Sequence, residues 1–422
     1  MRKKLTIASL VSLCAVPLVM PSSASAVPAF ARKYGTSCYT CHSGFPNRNA
    51  FGEAFKNNGY RWPGGEDEDK AKQEQVKIGS DGWKKSFPDS PWPADLPGYA
   101  PVAIWITGPL MNYSEDVHKA DGTLVTPQTL NWNGPVDARI LFGGTVGENL
   151  GIVGSLEGFA KGATTTNLRA TWAFSPGINV GFGNGFSTFN TGNATPISNY
   201  TGVFPSSGTS VEANIVRGNS GGYQFVAGVA SAATNASATA SNKLMDTSYL
   251  RARYKIGGAG LLSGAGGHYG NEFVGLDDCL NIGASLVNLR QNYSATLSNT
   301  YKNETLVYGA DVSGNYGNLT AGVAYSRDSD LHLNNYAVDA GYYVYPWLLA
   351  RVKYASLGAA DVAGKPSQTN PTITPSLTAW LRANVSLAAS VKIFTKTDNP
   401  TSTASNPENN ANTATLTAAV AF

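Results

Sequence analysis

From about Tyr99 to Phe422 the chain alternates between apolar and polar positions. In Leu250 to Ile256 the apolar set Leu250, Ala252, Tyr254 and Ile256 interleaves with Arg251, Arg253 and Lys255. The same division sets Leu348, Ala350, Val352 and Tyr354 against Arg351 and Lys353, and Leu168, Ala170, Trp172 and Phe174 against Arg169. Val385, Leu387, Ala389, Val391 and Ile393 oppose Ser386, Ser390 and Lys392. A period of two belongs to strands with unlike faces. Charges on one face and apolar or aromatic residues on the other suit water inside and lipid outside, whereas a soluble sandwich keeps its core dry.

Periodicity alone leaves both architectures open, and loop lengths decide between them. Short turns at Gly147–Asn149, Ser175–Gly177, Gly257–Gly258, Tyr316–Gly317, Tyr345–Pro346 and Ala383–Asn384 alternate with long polar loops at 113–134, 188–208, 233–242, 358–372 and 398–411. Short turns on one side and long loops on the other are the barrel pattern. The expectation over 99–422 is therefore an all-β fold, a transmembrane antiparallel β-barrel of about 16 strands, within a range of roughly 16 to 18. The stretch from Asp277 to Tyr301 is where the number stays open. Trp105, Trp172, Tyr345 and Trp347, near strand ends, suit interfacial girdles. Ala414, Leu416, Ala418, Val420 and Phe422 share one face of the last strand. An aromatic residue closing such a strand resembles the sorting signal of barrels in the bacterial outer membrane, the location expected here.

The first 26 residues read differently. Arg2, Lys3 and Lys4, an apolar run from Leu5 to Met20, and Ala24-Ser25-Ala26 form the three parts of a secretory signal peptide. Beyond it no apolar run approaches the roughly 20 residues of a spanning helix. Those three cations account for the whole formal charge of +3, so the chain from Val27 is formally neutral. Such a balance gives no support to nucleic-acid binding. Residues 27–98 make a second unit. In it Phe51 and Phe55 lie one helical turn apart, with Asn47 or Asn49 placed to cap a helix and Gly59 to end it. Glu66 to Lys85 is dense in charge, a solvated segment or a docking face for a soluble partner. Phe87 to Pro101, rich in Pro and Trp, reads as a stiff linker.

Within that second unit lies Cys38-Tyr39-Thr40-Cys41-His42. Cys-x-x-Cys-His is the attachment site of a c-type haem. Two thiols reach the vinyl groups of one porphyrin edge and the adjacent imidazole is carried under the iron. A disulfide, a zinc half-site or a thioredoxin-like pair is the alternative, but zinc needs a second pair of ligands and a redox pair needs a βαβ setting. Neither is visible. The expected cofactor is one covalently attached haem c held by Cys38, Cys41 and His42, with His42 as the metal ligand. Phe45, Phe51, Phe55 and Tyr60 would pack on the porphyrin. The sixth position stays open: Met111, Met245, His118, His268 and His332 all lie in the barrel half, and Asn, Lys or Tyr are weaker candidates. Met111, at the end of the first strand, is the favoured one. Arg139, Arg169, Arg251, Arg253, Lys255, Arg351 and Lys353 on the lumen face could pair with haem propionates or with Asp137, Glu157, Glu212, Asp311 and Asp339. Cys279 reads as a small apolar strand residue.

Phe30-Ala31-Arg32, then Tyr34-Gly35-Thr36-Ser37-Cys38-x-x-Cys41-His42, Phe45-Pro46, and Asn49-Ala50-Phe51-Gly52-x-x-Phe55-Lys56-x-x-Gly59-Tyr60 resemble the start of the fused cytochrome–porin family. These are monohaem outer-membrane cytochromes of the iron-oxidase type. The close match spans roughly 30 to 60, and the remainder agrees only in architecture and terminal Phe422. The resemblance implies that a small cytochrome unit plugs the lumen and carries electrons across the outer membrane, from extracellular Fe(II) to periplasmic cytochromes. Flow outward to an extracellular acceptor leaves the same sequence signature. A diffusion porin with a haem-containing plug is the competing class. A peroxidase lacks a second Cys-x-x-Cys-His and a nearby acid–base histidine.

Overall fold

The computed structural model describes residues 29–63, Lys85 and most of 101–422. Within the last range, 120, 135–136, 147–148, 159–164, 190–208, 231–246, 268–274, 291–303, 330–331, 333, 357, 361–365, 369–370 and 397–409 lie outside the described residues. The signal segment, nearly all of the charged stretch and the linker up to residue 100 lie outside them too.

Alternation dictates the wall. A strand with one apolar and one polar face satisfies its backbone only in a ladder, and in lipid the ladder has to close on itself. Among the described residues seventeen strand segments close into one antiparallel barrel. Thr129–Trp132 and Asp137–Val146 both pair with Val102–Ser114, as two halves of one strand, so the wall has 16 strands. The seam is made by Thr413–Ala421 against Val102–Ser114. There Ile104 N donates to Phe422 O at 2.7 Å and Phe422 N to Ile104 O at 2.9 Å. The two faces divide as expected: Leu250 and Tyr254 are 55% and 57% exposed, while Arg251 and Arg253 are 5% and 3% exposed. No helix among the described residues is long and apolar enough to cross a membrane.

Two local expectations need correction, and one stretch left open is filled. Gly257–Gly258 is not a hairpin turn. Both glycines have φ of 69°, and the strand Thr247–Ala259 continues through them. The tight turn missing from the sequence reading falls at Gly218–Asn219. Among its described residues the open stretch after Asp277 contains one strand, Cys279–Arg290, paired on both sides. Trp105 is not a girdle residue: its ring meets Phe45 inside the barrel, with centroids 5.4 Å apart. Trp172, Tyr345 and Trp347 do face outward.

The segment 29–63 sits inside the wall at the rim that carries the short turns. It consists of helix α1 (Ala29–Tyr34), a 3-10 turn (Cys38–Thr40), a two-stranded ribbon of β1 (His42–Gly44) and β2 (Asn47–Arg48), and helix α2 (Ala50–Asn57). Asn49, not Asn47, caps α2: Gly52 N donates to its Oδ1 at 3.0 Å. Asn58 closes the helix and Gly59 follows at φ of 71°, the left-handed position that ends helices.

Polar side chains tie this segment to the wall on several sides. Arg32 donates to Val102 O, and Lys33 Nζ donates to Thr145 Oγ1 at 2.6 Å. Phe45 N donates to Ala383 O at 3.4 Å, and Trp380 Nε1 to Phe45 O at 3.1 Å. Asn57 is fully buried. Its Nδ2 donates to Leu261 O at 3.1 Å, and its own oxygens accept from Asn179, Asn214 and Gln224 at 2.8, 3.3 and 3.1 Å. Buried amides are stable only when so satisfied, so each bond fixes the depth at which the segment sits.

Candidate functional site

The 3-10 turn owes its shape to short-range polar contacts. Ser37 Oγ accepts from Tyr39 N at 3.3 Å, and Cys41 N donates to Cys38 O at 3.2 Å. Asn49 then locks the turn to α2, donating from Nδ2 to Tyr39 O at 2.9 Å and Thr40 O at 3.1 Å while its backbone N donates to Cys41 O at 3.0 Å. A Cβ on Gly52 would collide with that same Cys41 carbonyl. The helix therefore lies flush on the turn.

The result is one cavity between the N-terminal segment and the barrel wall, with about 1110 Å³ of empty space including its open mouth. Cys38, Cys41 and His42 line it, together with Phe45, Phe51, Phe55 and Tyr60, so every residue expected around the porphyrin is brought together. Phe30, Tyr34 and Trp62 join them, and the wall adds Ala103, Leu141, Gly143 and Val153. The aromatic rings brace one another: Phe30 and Phe55 meet edge-on at 5.0 Å, Phe51 and Trp62 at 4.9 Å, and His42 and Phe45 at 5.1 Å. Each such pair contributes about 0.5–1.5 kcal/mol beyond its buried area.

The two cysteines are free, so the disulfide alternative is absent from the structure. Burial pushes the Cys41 thiol up to about 12, helped by the neighbouring Cys38, and burial raises Cys38 as well. Both are neutral thiols in the unligated chain. Among the described residues no three His, Cys, Asp or Glu side chains stand together to hold a metal ion. Burial, and then Arg48, push the His42 imidazole down to about 4. The ring is neutral, as a metal ligand must be, and its buried Nδ1 has no hydrogen-bond partner. Two thiols, a neutral imidazole and a large aromatic cavity fit the needs of a thioether-linked porphyrin.

Met111 does not reach this cavity. It pairs with Leu416 and Trp132, and Trp132 is exposed on the lipid face, so register turns Met111 outward. His118 lies in a small hairpin beyond the strand end and His332 is exposed, neither lining the cavity. His268 and Met245 lie outside the described residues.

Of the two roles expected for the lumen cations, the structure shows pairing with lumen carboxylates. Arg139 pairs with Asp137 at 2.7 Å and Glu157 at 3.1 Å, and Arg251 with Asp311 at 2.7 Å. Lys255 pairs with Asp277 at 2.8 Å, Arg253 with Glu53 at 3.1 Å, and Arg351 lies 3.6 Å from Asp339. Arg169 donates to Gly185 O at 2.8 Å and Ser210 Oγ at 2.6 Å, while Glu212 accepts from Ser187, Thr188 and Tyr249. The cations that line the cavity are Arg48 and Lys56, both from the N-terminal segment. Burial pushes the Lys56 amine down to about 7, with Arg48 adding to the effect. Sequence reasoning missed these two. The one available signal was their position beside the aromatic residues that line the same cavity.

A closed 16-stranded wall with an apolar outer belt and a charged lumen defines a β-barrel of the bacterial outer membrane, porin-like in architecture. No family model matches the chain, and no curated relative matches it. Among solved structures it is similar to OmpF of Salmonella typhi in complex with daunomycin, with TM-score 0.49, 11% identity, and 76% of this chain and 97% of that one covered. It is also similar to a loop L8 deletion mutant of OmpT from Vibrio cholerae, with TM-score 0.43, 12% identity and coverage of 76% and 98%. A mutant porin of Rh. blastica gives TM-score 0.40, 9% identity and coverage of 76% and 100%. The likeness is one of fold alone.

Proposed function

We propose that residues 29–63 form a monohaem c-type unit lodged in the lumen, and that the chain carries electrons through the outer membrane. The observation that carries this reading is the convergence of Cys38, Cys41 and His42 on one aromatic cavity inside a membrane barrel. Cys38 and Cys41 would hold the group covalently and His42 would supply a nitrogen to its iron. A bound haem supplies reversible one-electron chemistry. The protein's own residues do the rest: Asn49 fixes the Cys38–Cys41 turn, the aromatic rings exclude water, and Arg48 and Lys56 offer cations to the haem carboxylates. The direction we favour runs from extracellular Fe(II) to periplasmic cytochromes, as the fused cytochrome–porin resemblance implies.

The test is a spectrum of the purified, haem-loaded, oxidised protein recorded while Fe(II) is added near neutral pH. Rapid reduction of the haem band is expected. If Fe(II) leaves it oxidised while a periplasmic-type donor reduces it and Fe(III) reoxidises it, the flow is outward. If neither reaction occurs, the conduit falls. A diffusion porin with a haem-containing plug is the second reading, favoured by the half-exposed polar residues Thr107, Asn112, Ser390 and Thr415 along one side of the lumen. Steady ion conductance in a planar bilayer, with no electron flow, would establish it.

A further inference from the structure

The cavity is not central in the barrel. Ala103 and Val153, which line it, are the second and fourth residues of strands that start at the short-turn rim. From Trp105 the same strand climbs to Ser114, roughly 30 Å along its length and roughly 20–25 Å of height at the usual tilt. Electron tunnelling weakens steeply with distance, so a donor halted at the long-loop surface is too far away.

Two sides of the lumen differ. On one, Glu212, Asn214, Gln224, Tyr249, Arg251 and Arg253 are buried, and Phe189 packs among Val226, Tyr249 and Val287. On the other, Thr107, Asn112, Ser390 and Thr415 are half-exposed and polar. At the foot of that open side stands Trp105, half-buried, with the Arg139 guanidinium 4.8 Å from its ring centre. Arg139 is 28% exposed. Beneath lies an unbroken run of rings: Trp105 to Phe45 at 5.4 Å, and Phe45 to His42 at 5.1 Å.

We infer that Trp105 is the contact through which electrons pass between the lumen and the His42 site. The donor is a small soluble one-electron reductant, an aqueous ferrous ion or a compact ferrous chelate, that descends the open side of the lumen to Arg139 and Trp105. It loses one electron there and the oxidised metal leaves by the same path, while the electron passes by way of the Phe45 ring to the group that His42 would hold. The Trp105 and Phe45 rings serve as the coupling medium and are not themselves oxidised. This rests on the electron-transfer reading above and adds to it the route and the size limit of the substrate.

The test uses the haem-loaded full chain in liposomes of one orientation, with a ferrous chelate offered from either side. In Trp105→Leu the ratio of long-loop-side to short-turn-side reduction rates drops several-fold, and Trp105→Phe, which keeps a ring, restores most of it. A ferrous chelate tethered to a large dextran reduces the wild type far more slowly than the free chelate. A second readout needs no haem: in the unloaded chain, the emission lost on Trp105→Phe is strongly quenched by acrylamide. An unchanged ratio in Trp105→Leu, equal rates for tethered and free donors, or a Trp105 emission shielded from acrylamide overturns the inference. If no haem attaches at all, the electron-transfer reading is what fails, and the quenching measurement still decides whether the lumen leads to Trp105.

Discussion

Gly52 on α2 lies directly against the carbonyl of Cys41, so the helix and the cysteine turn form one rigid piece. A methyl group at 52 has to push the helix off the turn, and overpacking of this kind costs about 1–3 kcal/mol. Gly52→Ala is therefore expected to yield barrel with much less covalently attached haem. The haem-to-protein ratio of purified material, measured by pyridine haemochrome absorbance, checks it.

Removing the Asn57 side chain takes the Oδ1 acceptor from the buried Gln224 amide and the Nδ2 donor from Leu261 O, while Asn179 and Asn214 keep the main-chain carbonyl. An unsatisfied buried polar group costs about 1–3 kcal/mol, so Asn57→Ala loosens the N-terminal segment while leaving the wall intact. Faster proteolysis within 29–63, at unchanged heat-modifiable migration of the barrel, is the expected result.

The two faces of one strand predict opposite failures. Leu250→Arg places a cation in lipid, at about 2–4 kcal/mol if near the midplane, and lowers insertion into bilayers. Arg251→Leu strands the Asp311 carboxylate, which now receives bonds of 2.7 and 2.9 Å. Losing one partner of a buried pair costs about 3–5 kcal/mol. Urea titration of the barrel in bilayers is expected to show both variants unfolding early, Arg251→Leu by the larger margin.

Lys56 gives a pH dependence whose sign can be worked out. Its amine falls from the usual 10.5 to about 7 on folding because it is buried. Between those values the unfolded chain holds a proton that the folded one lacks, so stability rises with pH from about 7 to about 10.5 and is weakest below 7. In the unloaded protein, protection of 29–63 from proteases should rise over that window. In Lys56→Met the rise should vanish.

Much of the wall was legible because a period of two survives in every strand whose inner face carries charge. Leu250 to Ile256 is such a strand, and its exposed and buried residues fall as the alternation says. Val102-Ala103-Ile104-Trp105-Ile106 is apolar on both faces, so its parity could not be read, and Trp105 was placed on the wrong side. Gly257–Gly258 resembled a turn because paired glycines serve turns and kinks alike. At the candidate site, spacing singles out Cys38, Cys41 and His42, which the fold brings onto one cavity. Arg48 and Lys56 were not singled out, because a position beside aromatic residues does not by itself tell a lysine that lines a buried cavity from one in water.

The seam joining Ile104 to Phe422 sets an order of assembly. The segment 29–63 is fastened to wall residues as far apart in the chain as Thr145, Asn214 and Ala383. A piece gripped from so many directions does not slip into a finished ring. It takes its place while the sheet is still open, and the first and last strands then zip shut around it. Any group attached to Cys38 and Cys41 is then expected to be in place before that zipper closes.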